Sequence, residues 1–196
     1  MKIYSYLLNF SLNKLSWILL FSTSSFCVGA SLFFQHSLNL APCVMCIQER
    51  LFLMGIWIVS FAGIFYRKCI YFRGLVLASW LLLSAGGLKL SIEHLILQLN
   101  SSAFQSCVAQ VGFPSFLPAH EWFPSLFMAT GSCNESVWSL GGITMVQWIV
   151  GLFAINTALS VCFLIVELIA SARHDGVWVN GIPTEEGNKG TYSGDH

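Results

Sequence analysis

Apolar residues run along this chain in blocks too long and too continuous to be the core-facing stripe of a soluble helix. From Leu15 to Phe34 nearly every position is apolar or small, which is long enough to cross a bilayer core of roughly 30 Å. Similar blocks fill residues 47–66, 75–97 and 143–170. The pattern predicts an all-α membrane protein, a four-transmembrane-helix bundle with spans at about 15–34, 47–66, 75–97 and 143–170. A cleaved signal peptide competes for the first block, because Val28-Gly29-Ala30 resembles a cleavage site. A signal peptide's apolar core is only about 7–15 residues, so an uncleaved span is the better reading. Residues 1–170 then form one transmembrane domain, and residues 171–196 a polar, glycine-containing tail.

Composition agrees with this pattern. The chain is 56% hydrophobic and 9% charged, where a soluble domain carries about 25% charged residues. Nine basic and nine acidic residues cancel, so no basic surface points to nucleic acid. The distribution of the bases matters more than their number. Lys2, Lys14, Arg67, Lys68, Arg73, Arg173 and Lys189 all fall on one side of a four-span chain, and the other side has only Arg50. Cytoplasmic loops hold the excess of Lys and Arg, so both termini are expected in the cytoplasm. Loops 35–46 and 98–142 then share the opposite, oxidising side.

Four of the seven cysteines lie in or beside those two loops: Cys43, Cys46, Cys107 and Cys133. Cys27 and Cys162 sit inside apolar blocks and Cys69 in the basic loop, where a small hydrophobe or an ordinary thiol is the simplest reading. The stretch Pro42-Cys43-Val44-Met45-Cys46-Ile47-Gln48-Glu49-Arg50 carries the chemistry. Proline suits the first turn of a helix, and a thiol in that turn gains from unpaired N–H groups and the helix dipole. Arg50, four residues after Cys46, adds a positive charge on the same face. Zinc would need two further ligands at suitable spacing. Cys107 and Cys133 are too far apart for a zinc ribbon, and no metal is expected. Two static disulfides remain an alternative, but a bridge closing only Cys43 to Cys46 constrains little, and such pairs are more often exchanged than structural.

Two cysteine pairs on the oxidising side suggest a relay from a soluble protein, through the long loop, to Cys43 and Cys46. A lipid-soluble acceptor such as quinone could then take the electrons. In the third span His94 and Gln98 share a helix face, and polar groups inside a span mark function by default; that face could hydrogen-bond a quinone carbonyl. Lys89 and Glu93, at the same spacing, read as a structural pair. The glycines at 86–87 and 141–142, with Ala154 and Ala158, read as close helix packing. A short interfacial helix is expected within 119–127.

Taken together, Phe34-Gln35-His36, the Cys43–Arg50 stretch, Glu93-His94 with Gln98-Leu99, Gly131-Ser132-Cys133 and Met145-Val146-Gln147-Trp148 resemble the disulfide bond formation protein B (DsbB) family. The likeness covers about residues 15–165. It implies an inner-membrane thiol:quinone oxidoreductase that reoxidises a periplasmic DsbA-like dithiol protein. It also implies redox-active disulfides Cys43–Cys46 and Cys107–Cys133. Arg50 would stabilise thiolate and quinone charge, His94 and Gln98 would lie near the quinone, and ubiquinone or menaquinone would be the acceptor. Met45 stands where the family often has Leu, and Gln48 where it often has an aromatic residue. Two other readings stand beside this one: a paralogue dedicated to a specialised thioredoxin-like partner, and a non-enzymatic membrane scaffold with structural disulfides.

Overall fold

The structure, a computed structural model, describes residues 10–11, 13–38, 41–66, 70–99, 131 and 138–179, with the backbone alone of Ile70 and 172–179. Cys69, Cys107, Cys133 and the expected helix within 119–127 lie outside the described residues. Among the described residues four long helices carry the fold: α1 (Lys14–His36), α2 (Val44–Tyr66), α3 (Ile70–Leu99) and α4 (Met145–Val179). All four are long and apolar enough to span a membrane. The neighbours are α1 on α2, α2 on α3 and α3 on α4.

Each helix starts for a local reason. Asn13 caps α1, its side chain accepting from the Leu15 amide at 3.0 Å. Helix α4 begins with a reciprocal capping box: the Thr144 amide donates to Gln147 Oε1 at 2.9 Å, and the Gln147 amide to Thr144 Oγ1 at 3.4 Å. Gln147 is therefore a capping residue.

Ile143 and Thr144 do not begin the fourth span, as the sequence suggested, but form β2 (Ile143–Thr144) of a short hairpin with β1 (Ser139–Leu140). The turn between them holds Gly141 and Gly142 at φ 63° and 81°. Two consecutive positive φ values are what a tight two-residue hairpin demands. These glycines thus make a turn, not a helix contact. Ala154 and Ala158 are exposed rather than packed. Gly86 and Gly87 do mediate packing, since an added Cβ would lie 2.7 Å from Phe52 and 2.2 Å from Phe153.

The bundle core is Trp17, Leu53, Ile56, Leu77, Trp80 and Phe153. Large apolar side chains such as Phe26, Tyr71 and Leu82 point outward, as lipid-facing positions should. Small polar side chains sit between the helices: Ser84 and Ser160 are fully buried, 3.3 Å apart across α3 and α4. Indole N–H groups find partners on neighbouring helices, Trp57 on Ser25 Oγ at 2.8 Å and Trp80 on Asn156 Oδ1 at 3.2 Å. Without a hydrophobic drive between helices in lipid, such contacts and close packing hold the bundle.

The third helix begins at Ile70 rather than 75, and this changes the reading of Arg73. It is a buried helical residue that donates to both Glu167 oxygens, Nε at 2.8 Å and Nη2 at 2.5 Å. The carboxylate on α4 gives the guanidinium the bidentate partner that burial requires. Lys89 and Glu93 do approach one another, at 3.9 Å, with both side chains exposed. Helix α4 continues to Val179, past the expected end at 170, although its apolar window closes at Ser171. A helix satisfies its own backbone and need not stop where its apolar run stops.

Candidate functional site

Helix α2 starts one residue after Cys43, so this cysteine occupies the capping position and not the first turn. Its carbonyl accepts from the Ile47 amide at 3.2 Å, and its sulfur accepts from the Cys46 amide at 3.3 Å. A side chain that accepts from the third helical N–H does what a capping Ser or Asp does. Here the acceptor is a sulfur, and the helix dipole favours its thiolate. Cys46 lies one turn on, half-buried, with its thiol 3.0 Å from Cys43 Sγ. Both are free thiols in this structure. Closing a disulfide needs about 1 Å of further approach.

Helix α3 brings in what spacing alone did not reveal. His94 is 2% exposed, and its Nε2 lies 3.6 Å from Cys43 Sγ. Its Nδ1 lies 3.0 Å from Glu49 Oε1, and Glu49 is 1% exposed. Carboxylate, imidazole and thiol therefore line up from α2 to α3 and back. With Nδ1–H donating to Glu49, Nε2 accepts the Cys43 thiol proton and, once protonated, donates to the thiolate. The Cys46 thiol and the His94 ring hold Cys43 well below the usual thiol range, at about 5, against the opposing effect of burial.

Glu49 has no role assigned by the sequence reading. The available signal was an acid inside an apolar span, which is costly unless paired. Nothing in the sequence tied it to His94, 45 residues away.

Arg50 is 4% exposed and donates through Nη1 to Gln35 Oε1 on α1 at 2.6 Å. The Phe34-Gln35-His36 segment thus meets the Cys43–Arg50 stretch directly. His94 and Gln98 share a face of α3, but both His94 ring nitrogens are turned to Glu49 and Cys43. Gln98 is half-buried one turn further on. Gln48 points elsewhere, into a groove of about 580 Å3 between α2 and α3 with Leu51, Phe52 and Lys89.

One more residue reaches this site from far along the chain. The Gly131 amide donates to the Pro42 carbonyl at 3.1 Å. A Cβ at Gly131 would lie 2.2 Å from the Ala41 carbonyl oxygen, a backbone atom that cannot swing away. The contact therefore requires glycine.

Comparison with known proteins gives the family. The family model for disulfide bond formation protein DsbB matches residues 13–163. A disulfide bond formation protein B from Haemophilus influenzae is 38% identical over 164 residues, 84% of this chain and 93% of the relative. The protein of that name from Pasteurella multocida is 41% identical, covering 79% of this chain and 87% of the relative. One from Vibrio cholerae is 39% identical, covering 88% and 100%. Family, helical spans and paired thiols coincide: the chain belongs to the DsbB family and is a multi-pass oxidoreductase of disulfide bond formation in the bacterial inner membrane.

Proposed function

We propose that this chain is a thiol:quinone oxidoreductase that reoxidises a periplasmic DsbA-like dithiol protein. The observation that carries the proposal is the Cys43 thiol. It caps α2, faces the Glu49–His94 pair and lies next to the carbonyl that Gly131 grips. Gly131 precedes Cys133 by two residues in the sequence, and two residues of chain span at most about 7 Å, which supports an attack by Cys133 on Cys43.

A thiolate of the partner attacks Cys107 in a Cys107–Cys133 disulfide and releases Cys133 as thiolate. Cys133 attacks Cys43 in the Cys43–Cys46 disulfide and releases Cys46. The partner's second thiolate displaces Cys107 and leaves as a disulfide. Cys107 then attacks Cys133, re-forming their bond and releasing Cys43. His94, held by Glu49, stabilises that leaving thiolate and receives or returns its proton. Cys43 and Cys46 close again, losing two electrons and two protons.

The residues beside Cys46 fit a quinone, ubiquinone or menaquinone. The buried Arg50 guanidinium and the Gln35 amide offer polar atoms next to a half-buried thiol, while Phe33 on the same helix end faces lipid. A bound quinone supplies the acceptor for two electrons and two protons. Arg50 stabilises negative charge at Cys46 and on the acceptor, and Gln98 contributes a polar atom on α3. His94 acts through Cys43.

In this proposal residues 1–170 form the transmembrane domain, residues 171–196 are cytoplasmic and both termini are cytoplasmic. Loops 35–46 and 98–142 are periplasmic. The excess of Lys and Arg on the opposite side supports that orientation without Arg73, which Glu167 neutralises.

The test is purified protein in detergent with a reduced DsbA-like protein and excess quinone. Loss of one quinone absorbance per partner disulfide formed is expected; partner that docks but stays reduced would contradict the proposal. Arg50→Ala should raise the apparent KM for quinone about tenfold or more, as a charge-assisted hydrogen bond contributes about 1.5–3 kcal/mol. An unchanged KM would remove Arg50 from the quinone site. Gly131→Ala should slow oxidation of the partner protein about tenfold to a hundredfold, given roughly 1–3 kcal/mol for overpacking. Oxidation of a small dithiol that reaches Cys43 and Cys46 directly should change little. Equal losses with both substrates would mean that the contact is merely structural.

A further inference from the structure

We infer that the reduced centre is also a binding site for a thiophilic divalent cation, Zn2+ above all, with Cys43, Cys46 and His94 as ligands. Their three ligand atoms lie within 4.8 Å of one another. With Zn–S near 2.3 Å and Zn–N near 2.0 Å, a tetrahedral ion holds S and N about 3.5 Å apart and two sulfurs about 3.8 Å apart. Cys43 Sγ and His94 Nε2 stand at 3.6 Å, already at that spacing. The two sulfurs stand at 3.0 Å, so the half-buried Cys46 thiol must move about 1 Å away from Cys43 and settle about 3.5 Å from His94 Nε2, which already lies within 4.8 Å of it.

The surroundings point to a metal independently of these distances. A metal-ligating histidine almost always gives its other ring N–H to a carboxylate or carbonyl, which fixes the tautomer and raises ligand basicity. Glu49 does this for His94 at 3.0 Å. Its second oxygen, Oε2, is buried with no hydrogen-bond partner among the described residues. Charge then selects the valence. Two thiolates and the Glu49 carboxylate bring three negative charges into a buried site, and Arg50 with one divalent cation cancels them. Soft sulfur with imidazole favours Zn2+ over Mg2+ or Ca2+.

Binding one Zn2+ releases two protons, that of the Cys46 thiol and the one His94 Nε2 took from Cys43, and changes no oxidation state. The disulfide form offers no thiolate and should not bind. An ion seated there ties both sulfurs up, so it holds the centre reduced and stops its reoxidation until a chelator removes it. This inference rests on the side chains around the reduced thiols and is independent of the quinone chemistry.

Co2+ is the probe, since thiolate ligation gives it charge-transfer absorption. The protein is reduced with a phosphine without oxygen, and Co2+ is titrated and then displaced by Zn2+. The expected result is one Co2+ per reduced chain, retained in Cys107→Ala/Cys133→Ala and absent from the oxidised protein. Bound Zn2+ should shield Cys43 and Cys46 from alkylation. Glu49→Gln should weaken Zn2+ binding about 10–100-fold, and His94→Ala at least as much. Equal binding by the oxidised wild type would overturn the inference, and that comparison needs no variant to fold. Loss of the signal with Cys107 and Cys133 would overturn it too, as would undiminished affinity in a folded His94→Ala protein.

Discussion

Cys43→Ala and Cys46→Ala are each expected to abolish partner-dependent quinone reduction, yet to stop the chain in different states. Without Cys46, Cys43 still caps α2 beside His94 and has no partner within its own turn. Its thiolate can attack Cys133, releasing Cys107, and the chain should rest with Cys43 joined to Cys133. Without Cys43, Cys46 lacks the sulfur that Cys133 must reach, and the Cys107–Cys133 bond should stay intact with Cys46 free. Turnover assays paired with thiol counting distinguish the two. Normal turnover in either variant would mean that electrons leave by another route.

The second large effect concerns pH. Cys43 is held at about 5 by the Cys46 thiol and His94. A thiol whose folded value is depressed keeps its thiolate above that value and loses it as pH falls through it. Alkylation of Cys43 in the reduced protein should therefore be level from neutral pH down to about pH 6 and drop through about 5. In His94→Ala the drop should move upward, toward an ordinary thiol near 8.5. Full reversion would cut the thiolate fraction at pH 7 about thirtyfold. Because the Cys46 contact remains, a smaller loss is expected, with the direction fixed. Glu49→Gln should move the profile the same way, less far, since Glu49 acts only by orienting and charging the imidazole. An unmoved profile in His94→Ala would mean that the 3.6 Å contact contributes nothing to the thiolate.

Much of this was legible in the sequence for a physical reason. Lipid imposes long apolar runs, and these announce themselves: α1 and α2 lie within three residues of their expected bounds at each end. The Cys-x-x-Cys beside a proline marked its own helix start, missing that Cys43 is the cap itself and that Pro42 therefore precedes the cap and lies outside the first turn. Gly86 and Gly87 pack as expected, because small residues inside a span have few other uses. What was hidden depends on distant partners. Arg73 reads as a loop charge until Glu167 on α4 is seen against it. Gly141 and Gly142 read as packing glycines until their positive φ values show a turn. His94 was singled out as a polar residue in a span, but its direction, toward Cys43 and Glu49, follows from how α2 and α3 cross. Gly131 was only a letter in a motif; its need to be glycine comes from the Ala41 carbonyl.

The central claim is that the long loop delivers Cys133 to Cys43. Its most direct test is a disulfide map, by proteolysis and mass spectrometry, of the Cys46→Ala protein purified with free thiols blocked. The account predicts a peptide pair joining Cys43 to Cys133, with Cys107 blocked as a free thiol. A free Cys43 with Cys107–Cys133 intact, or Cys43 joined to Cys107 instead, would contradict it.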